Sequence, residues 1–206
     1  MNIARRFTRF FFHLLYHPFA FTYDLVAWIV SFGKWNDWVF SVFPYIEGTR
    51  ILELGHGPGH LQRLLLDRGL DPAAIDESTQ MGRLAKRRLG PGQKLTRGVT
   101  QALPFPNETF DSVVSTFPSD YIFDPRTLSE AKRTLRNRGR FIVMPGALPR
   151  NKFLKWLYEV TRESPEAITD ALIERFKQPF IQAGFLVEVH ILESKSSQLA
   201  ILVATK

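Results

Sequence analysis

Over the first 46 positions apolar and aromatic residues crowd together without a clean period. More than half of the chain's aromatic side chains fall there, from Phe7 to Tyr45. His13, His17, Pro18 and Asp24 interrupt the run. A membrane span needs ~20 apolar residues without a break, and a signal peptide needs a smooth apolar centre; the interruptions argue against both. Arg5-Arg6 also admits an export-signal reading. The pattern predicts two or three amphipathic helices broken near Pro18 and Gly33. Their apolar faces must cover a domain surface, a pocket or a lipid interface.

After residue 46 the pattern changes to short apolar runs separated by helical periods. Ile51–Leu54 reads as a strand, and Leu61, Leu64 and Leu65 mark one face of a helix. Ala73–Asp76 ends a second strand, and Ser78 opens a helix faced by Leu84, Ala85 and Leu89. Ser112–Thr116 is a strand, Leu128, Ala131 and Leu135 mark a helix, and Phe141–Met144 is a strand. Residues 150–161 carry an apolar helical face, and Ser164-Pro165-Glu166 starts another helix that ends at Ala183-Gly184-Phe185. Leu186–Leu192 and Leu199–Ala204 pair as the last two strands across Ser194–Ser197. This order is α/β. It fits a doubly wound seven-stranded sheet, mostly parallel with an antiparallel last strand, behind an N-terminal helical segment. The division predicted is a cap over residues 1–46 and a sheet domain over 47–206.

Composition narrows the chemistry. The chain has no cysteine, which removes disulfides, thiolate metal sites and a cysteine nucleophile. No His, Asp and Glu cluster has metal-ligand spacing, so no metal is expected. The net charge of +7 favours anionic partners without choosing among them. The cations gather in two runs, Arg83 to Arg97 and Lys132 to Arg140, which overlap helices or their ends and read as solvated faces. Nucleic-acid binding is the sharper alternative.

The candidate site begins at Glu53. The strand runs straight into Gly55-His56-Gly57-Pro58-Gly59 and then a helix. Glycines let the backbone approach a ligand, and the helix start presents free N–H groups. A dinucleotide fingerprint would place its third glycine at position 60, which is His60. Glu53 would repel a pyrophosphate and suits a cation. A tight turn without a ligand is the plain alternative.

The acid-x-G-x-G-x-G pattern resembles the first motif of class I S-adenosylmethionine-dependent methyltransferases. Ile75-Asp76-Glu77-Ser78-x-x-Met81 resembles their second motif. Ala102-Leu103-Pro104-Phe105-Pro106 with Phe110-Asp111, and the Leu135-Arg136 to Gly139-Arg140 turn, are similar to the small-molecule and quinone-biosynthesis group. The resemblance covers about residues 45–145 by motif and the rest by element order, and implies a Rossmann-like fold. It implies S-adenosylmethionine as cofactor and S-adenosylhomocysteine as product. It assigns cofactor contacts to Glu53, Gly55, His56, Gly57 and Gly59, to Asp76, Glu77 and Met81, to Thr100, Gln101 and Ala102, and to Phe117. Asp76 would accept the ribose hydroxyls. Asp120 and Tyr121 after the fourth strand, with Tyr23 and Asp24 in the cap, are the candidates for catalysis and acceptor contact.

One position departs from the family. Relatives place an acid before the Leu-Pro-Phe-Pro run, facing the adenine amino group; here that position is Val99. Gln101, or backbone groups of Thr100 and Gln101, would then meet the adenine edge. The expected function is methyl transfer to a small, apolar or amphiphilic acceptor, in the cytoplasm, with the arginine-aromatic front touching an anionic membrane. Two alternatives stay open: RNA methylation, which the missing Asn/Asp-Pro-Pro-aromatic turn at Thr116–Tyr121 weakens, and a non-catalytic binding module.

Overall fold

The computed structural model describes residues 33–149, 169–193 and 197–206. The expectations for Tyr23, Asp24, the first helices and the helix over 150–161 lie outside the described residues. Eight strand segments form one sheet: β1 Arg50–Leu54, β2 Asp71–Asp76, β3 Lys94–Arg97, β4 Phe110–Thr116, β5 Leu135–Met144, β6 Ala147–Pro149, β7 Leu186–Glu193 and β8 Ser197–Thr205. β3, β2, β1, β4 and β5 lie side by side in that order, all parallel. β8 runs antiparallel to β5, β6 and β7. β7 pairs along nearly all of β8, so β5 and β6 share its other edge as one interrupted strand. The sheet is therefore seven strands wide, with the last strand antiparallel as predicted.

Strand alternation sorts the core into two faces. Leu52, Leu54, Val113, Phe141 and Leu202 point to one cluster, covered by helices α4 (Pro125–Thr134) and α5 (Asp170–Gln182). Ile51, Val114, Ile142 and Ile201 point to the other. There they meet α1 (Trp35–Phe40) and α2 (His60–Asp67) through Trp38, Val39, Leu61, Leu64 and Leu65. Helix α3 (Thr79–Leu89) is capped by the Ser78 hydroxyl, which accepts from Met81 N at 3.3 Å. Asp124 caps α4 with Pro125 at its first position.

Two details differ from the sequence reading. Leu135 begins β5 instead of ending the preceding helix. It is fully buried in the same core as Leu128 and Ala131, so its spacing continues the helical period where the backbone has already extended. β3 lies in the stretch read as a solvated basic run. Its charged residues, Lys94 and Arg97, are its exposed ends, and it is an edge strand. The second basic run is largely tied to the fold. Arg133 bonds the Glu130 carboxylate, Arg136 pairs with Asp111 at 2.6 Å, and Arg140 pairs with Glu47 at 2.7 Å.

Candidate functional site

The sheet order reverses between β1 and β4. The connection leaving β1 moves to β2 on one side, whereas β4 lies on the other. In open α/β sheets this switch point leaves a crevice beyond the carboxyl ends of the strands. The glycine loop after β1 and the turn after β4 both stand there.

Asp76, at the end of β2, ties the loop down. One carboxylate oxygen accepts Gly57 N at 2.9 Å and the other accepts Ser78 N at 2.8 Å. Gly55 N donates to Ile75 O at 2.8 Å, holding the loop against the same strand end. Gly55, Gly57 and Gly59 all have positive φ, which side chains resist. They do different work. A side chain at Gly55 would strike the Tyr121 hydroxyl, and one at Gly59 would press on Ala85 and Leu89 of α3. A side chain at Gly57 would meet no protein atom within 4 Å. The loop is therefore closed to the protein at Gly55 and Gly59 and open at Gly57.

Glu53 lies beneath this loop with 2% of its surface exposed, and accepts a hydrogen bond from Gln62 Nε2 at 2.8 Å. Burial pushes its carboxyl up to about 8; the Gln62 bond pulls the other way, and nearby Asp76 adds to the rise. Burial thus favours the neutral form of Glu53. Burial likewise pushes the His56 imidazole below its usual value, against the pull of Asp76. His56 Nδ1 donates to Gly57 O at 2.7 Å. That ring is a neutral, buried brace of the loop.

Glu53 makes stability depend on pH. Its folded pKa lies above its unfolded value, so the protonated form stabilises the fold fully below about 4.5 and that contribution is lost as pH rises through about 8. Glu53→Gln keeps the shape and cannot ionise. Melting curves should show wild type losing stability relative to Glu53→Gln as pH is raised from ~5 to ~8. Parallel curves would show that Glu53 is ionised in the folded protein.

The turn after β4 meets the loop. Tyr121, in the 3-10 turn Asp120–Phe123, bonds through its hydroxyl to Leu54 O at 3.1 Å. The same hydroxyl lies 3.1 Å from Ser115 Oγ, which donates to Leu54 O at 2.7 Å. Asp120, one residue earlier, is exposed. Phe117 holds a left-handed backbone with φ 51° and stacks on Trp35 at 4.3 Å between ring centroids.

Residues 52–143 match the family described as a methyltransferase domain. Over 144 residues the chain is 31% identical to the demethylmenaquinone methyltransferase of Thermotoga maritima, covering 67% of this chain and 62% of that protein. Residues 52–143 are a methyltransferase domain, and the chain is similar through it to the quinone-biosynthesis methyltransferases. A ubiquinone/menaquinone biosynthesis C-methyltransferase of Geobacter sulfurreducens is 28% identical over 158 residues, 70% of this chain and 61% of that one. The chain thus spans about three fifths of the length of these curated relatives. Among solved structures, a SAM-dependent methyltransferase from Thermotoga maritima superposes with a TM-score of 0.62 at 20% identity, over 94% of this chain and 99% of that one. The Haemonchus contortus phosphoethanolamine N-methyltransferase 2, bound to phosphomonomethylethanolamine and S-adenosylhomocysteine, superposes at 0.60 and 17% identity, over 84% and 53%. At these identities the two structures establish the fold.

In this methyltransferase domain the remaining candidates sit around the same crevice edge or in its support. Glu77 is exposed at the end of β2, and its carbonyl accepts Arg97 Nε at 3.2 Å. Met81 is fully buried in α3. Val99 is 46% exposed, next to buried Thr100. Thr100 Oγ1 lies 2.9 Å from Thr127 Oγ1, Gln101 Nε2 donates to Asp124 at 3.2 Å, and Ala102 N donates to Val99 O at 3.3 Å. Sequence reasoning did not single out Gln62, Ser115, Asp124 or Thr127. Each is a polar residue whose partner lies on another element, so no local pattern marks it. Arg88, read as part of a solvated run, donates to Pro58 O at 2.5 Å and braces the glycine loop from α3. Among the described residues no group of three acids or histidines is placed to hold a metal ion.

Proposed function

We propose that the protein transfers a methyl group from S-adenosylmethionine to a small apolar acceptor of quinone type. The observation that carries this reading is the set of groups at the switch point: open backbone at Gly57, the buried carboxyl of Glu53 beneath it, and Asp76 beside it. The residues present fit the cofactor. A sulfonium with an ammonium tail suits a buried acid, and a backbone without side chains admits close approach. When bound, the cofactor supplies the activated methyl group.

The chain's own residues bind and orient. A cation seated over the loop draws Glu53 into its ionised form, which releases one proton to solvent. Each Asp76 oxygen keeps a lone pair beyond its backbone bond, so the carboxylate can receive hydroxyl donors while it holds the loop. Gln101, held by Asp124, and the backbone of residues 100–102 would meet the adenine edge in place of the acid absent at Val99. Asp120 and Tyr121, on the turn after β4, are the described candidates for acceptor contact; Tyr23 and Asp24 remain candidates from the sequence alone. The acceptor class rests on the names of the related enzymes, which concern demethylmenaquinone and ubiquinone/menaquinone biosynthesis. A cytoplasmic position, with Arg5, Arg6 and Arg9 against anionic lipid, belongs to the same reading. No helix among the described residues is long and apolar enough to cross a membrane.

The deciding experiment is calorimetry with S-adenosylmethionine and S-adenosylhomocysteine. Asp76→Ala should weaken both by roughly ten- to a hundredfold for each hydrogen bond lost, at ~1.5–3 kcal/mol for a bond to a charged group. Asp76→Asn keeps one accepting oxygen and should lose less. Unchanged affinity in a folded Asp76→Ala protein would overturn the assignment.

A further inference from the structure

An apolar cavity of about 190 Å³ opens between α5 and the sheet, where β5 breaks before β6. Val143, Val189, Ala200 and Leu202 form its floor, and Phe123 and Phe176 form a wall. All twelve residues lining it are apolar or glycine. The space follows from the sequence: the strand is interrupted at Pro145-Gly146, and a side chain at Gly146 would meet nothing within 4 Å. Phe176, Val189 and Ala200 are only half-buried, so the cavity robs apolar surface of packing partners.

Its size and place suggest its use. A dry apolar cavity of about 150 Å³ holds one benzene. The space here takes one ring or one branched five-carbon unit, and not a fused ring with its substituents. Phe123 belongs to the same four-residue turn as Tyr121. That turn touches Leu54 O beside the glycine loop through Tyr121, and the cavity through Phe123, whose ring lies 5.3 Å from Phe176.

We infer that this cavity binds the hydrocarbon part of the methyl acceptor, leaving the reacting atom outside it toward the glycine loop. The inference rests on the methyltransferase reading above. It adds a specificity site formed by α5, the β5 break and the β4 turn, none of which contributes to the cofactor cradle apart from that turn.

The test uses the full chain and toluene as a probe, followed by ligand-observed NMR. Wild type should bind toluene saturably, and Ala200→Phe should lower that affinity at least tenfold by filling the space. Val189→Phe, on the strand beside Leu202 and on the same sheet face, fills it from β7 and serves if Ala200→Phe does not fold. Both proteins should bind S-adenosylhomocysteine with wild-type affinity. A second arm measures methyl transfer to a reduced naphthoquinone with and without one prenyl unit. The prenyl unit occupies the cavity, so filling it should raise KM about tenfold for the prenylated acceptor and leave the other unchanged; a rise for both alike would overturn the assignment. Absent toluene binding by wild type, binding unaffected by either substitution, or unchanged KM for both acceptors overturns the inference and leaves the cofactor reading intact. Toluene binding without any binding of S-adenosylhomocysteine by wild type overturns the methyltransferase reading, and the acceptor role falls with it.

Discussion

Gly57→Val should abolish measurable cofactor binding while leaving the fold largely intact. The residue has φ +51°, and a side chain there meets no protein atom within 4 Å. The substitution therefore displaces nothing in the ligand-free protein. Its cost to folding is the left-handed backbone, ~1–2 kcal/mol for a residue with a Cβ, more for a branched one. Its cost to binding is larger, because the new methyl groups fill the space into which the cofactor must come. Overfilling a packed site costs ~1–3 kcal/mol, and the side chain would hold the cofactor off the backbone it must approach. Together these amount to at least a hundredfold loss, ~2.8 kcal/mol. Gly59→Val is the control with the opposite signature. There the side chain would press on Ala85 and Leu89, so melting temperature should fall as well as affinity. Calorimetry beside thermal melts separates the two. Wild-type affinity in Gly57→Val would place the cofactor somewhere other than over this loop.

The glycine loop, Glu53 and Asp76 were legible because each lies at a strand end, where a change of period marks the boundary. The central strands were legible because buried parallel strands are continuous apolar runs. β3 was not. Lys94 and Arg97 at the ends of a four-residue edge strand look like any solvated stretch, and only pairing to β2 makes it a strand. Gln62 illustrates the limit for the site. On α2 it reads as one polar residue within an amphipathic helix, yet it is 1% exposed. Its burial is explained by Glu53 alone, across the helix–sheet interface. Tyr121 could be named as a candidate from its place after the fourth strand, but its contact with Leu54 O depends on β1 and β4 being neighbours. Sequence patterns report what a residue does within its own element. The support of this site runs between elements.

The front of the chain carries the other large effect. Trp38 is 6% exposed and packs with Val39 and Val42 against Ile51, Leu65, Val114 and Ile142. Its indole Nε1 donates to Ser197 Oγ at 2.9 Å, joining α1 to the start of the last strand across 159 residues of sequence. Trp35 adds the stack on Phe117 at the β4 turn. Residues 35–42 thus belong to the core of one sheet face, whatever residues 1–32 cover. Trp38→Ala should cost ~3–5 kcal/mol, a large share of the ~5–15 kcal/mol that holds a typical domain together. Trp38→Phe keeps most of the volume and loses the bond to Ser197, at ~1 kcal/mol. A chain starting at residue 47 loses all three buried side chains and should aggregate or melt well below wild type. A chain starting at residue 33 keeps them, so it should stay folded and bind the cofactor. Any loss of methyl transfer in that second chain then belongs to residues 1–32, which carry Tyr23 and Asp24. Chemical denaturation of the four proteins decides the matter. Wild-type stability in the chain starting at residue 47 would make the whole segment a detachable cap and Trp38 a surface contact.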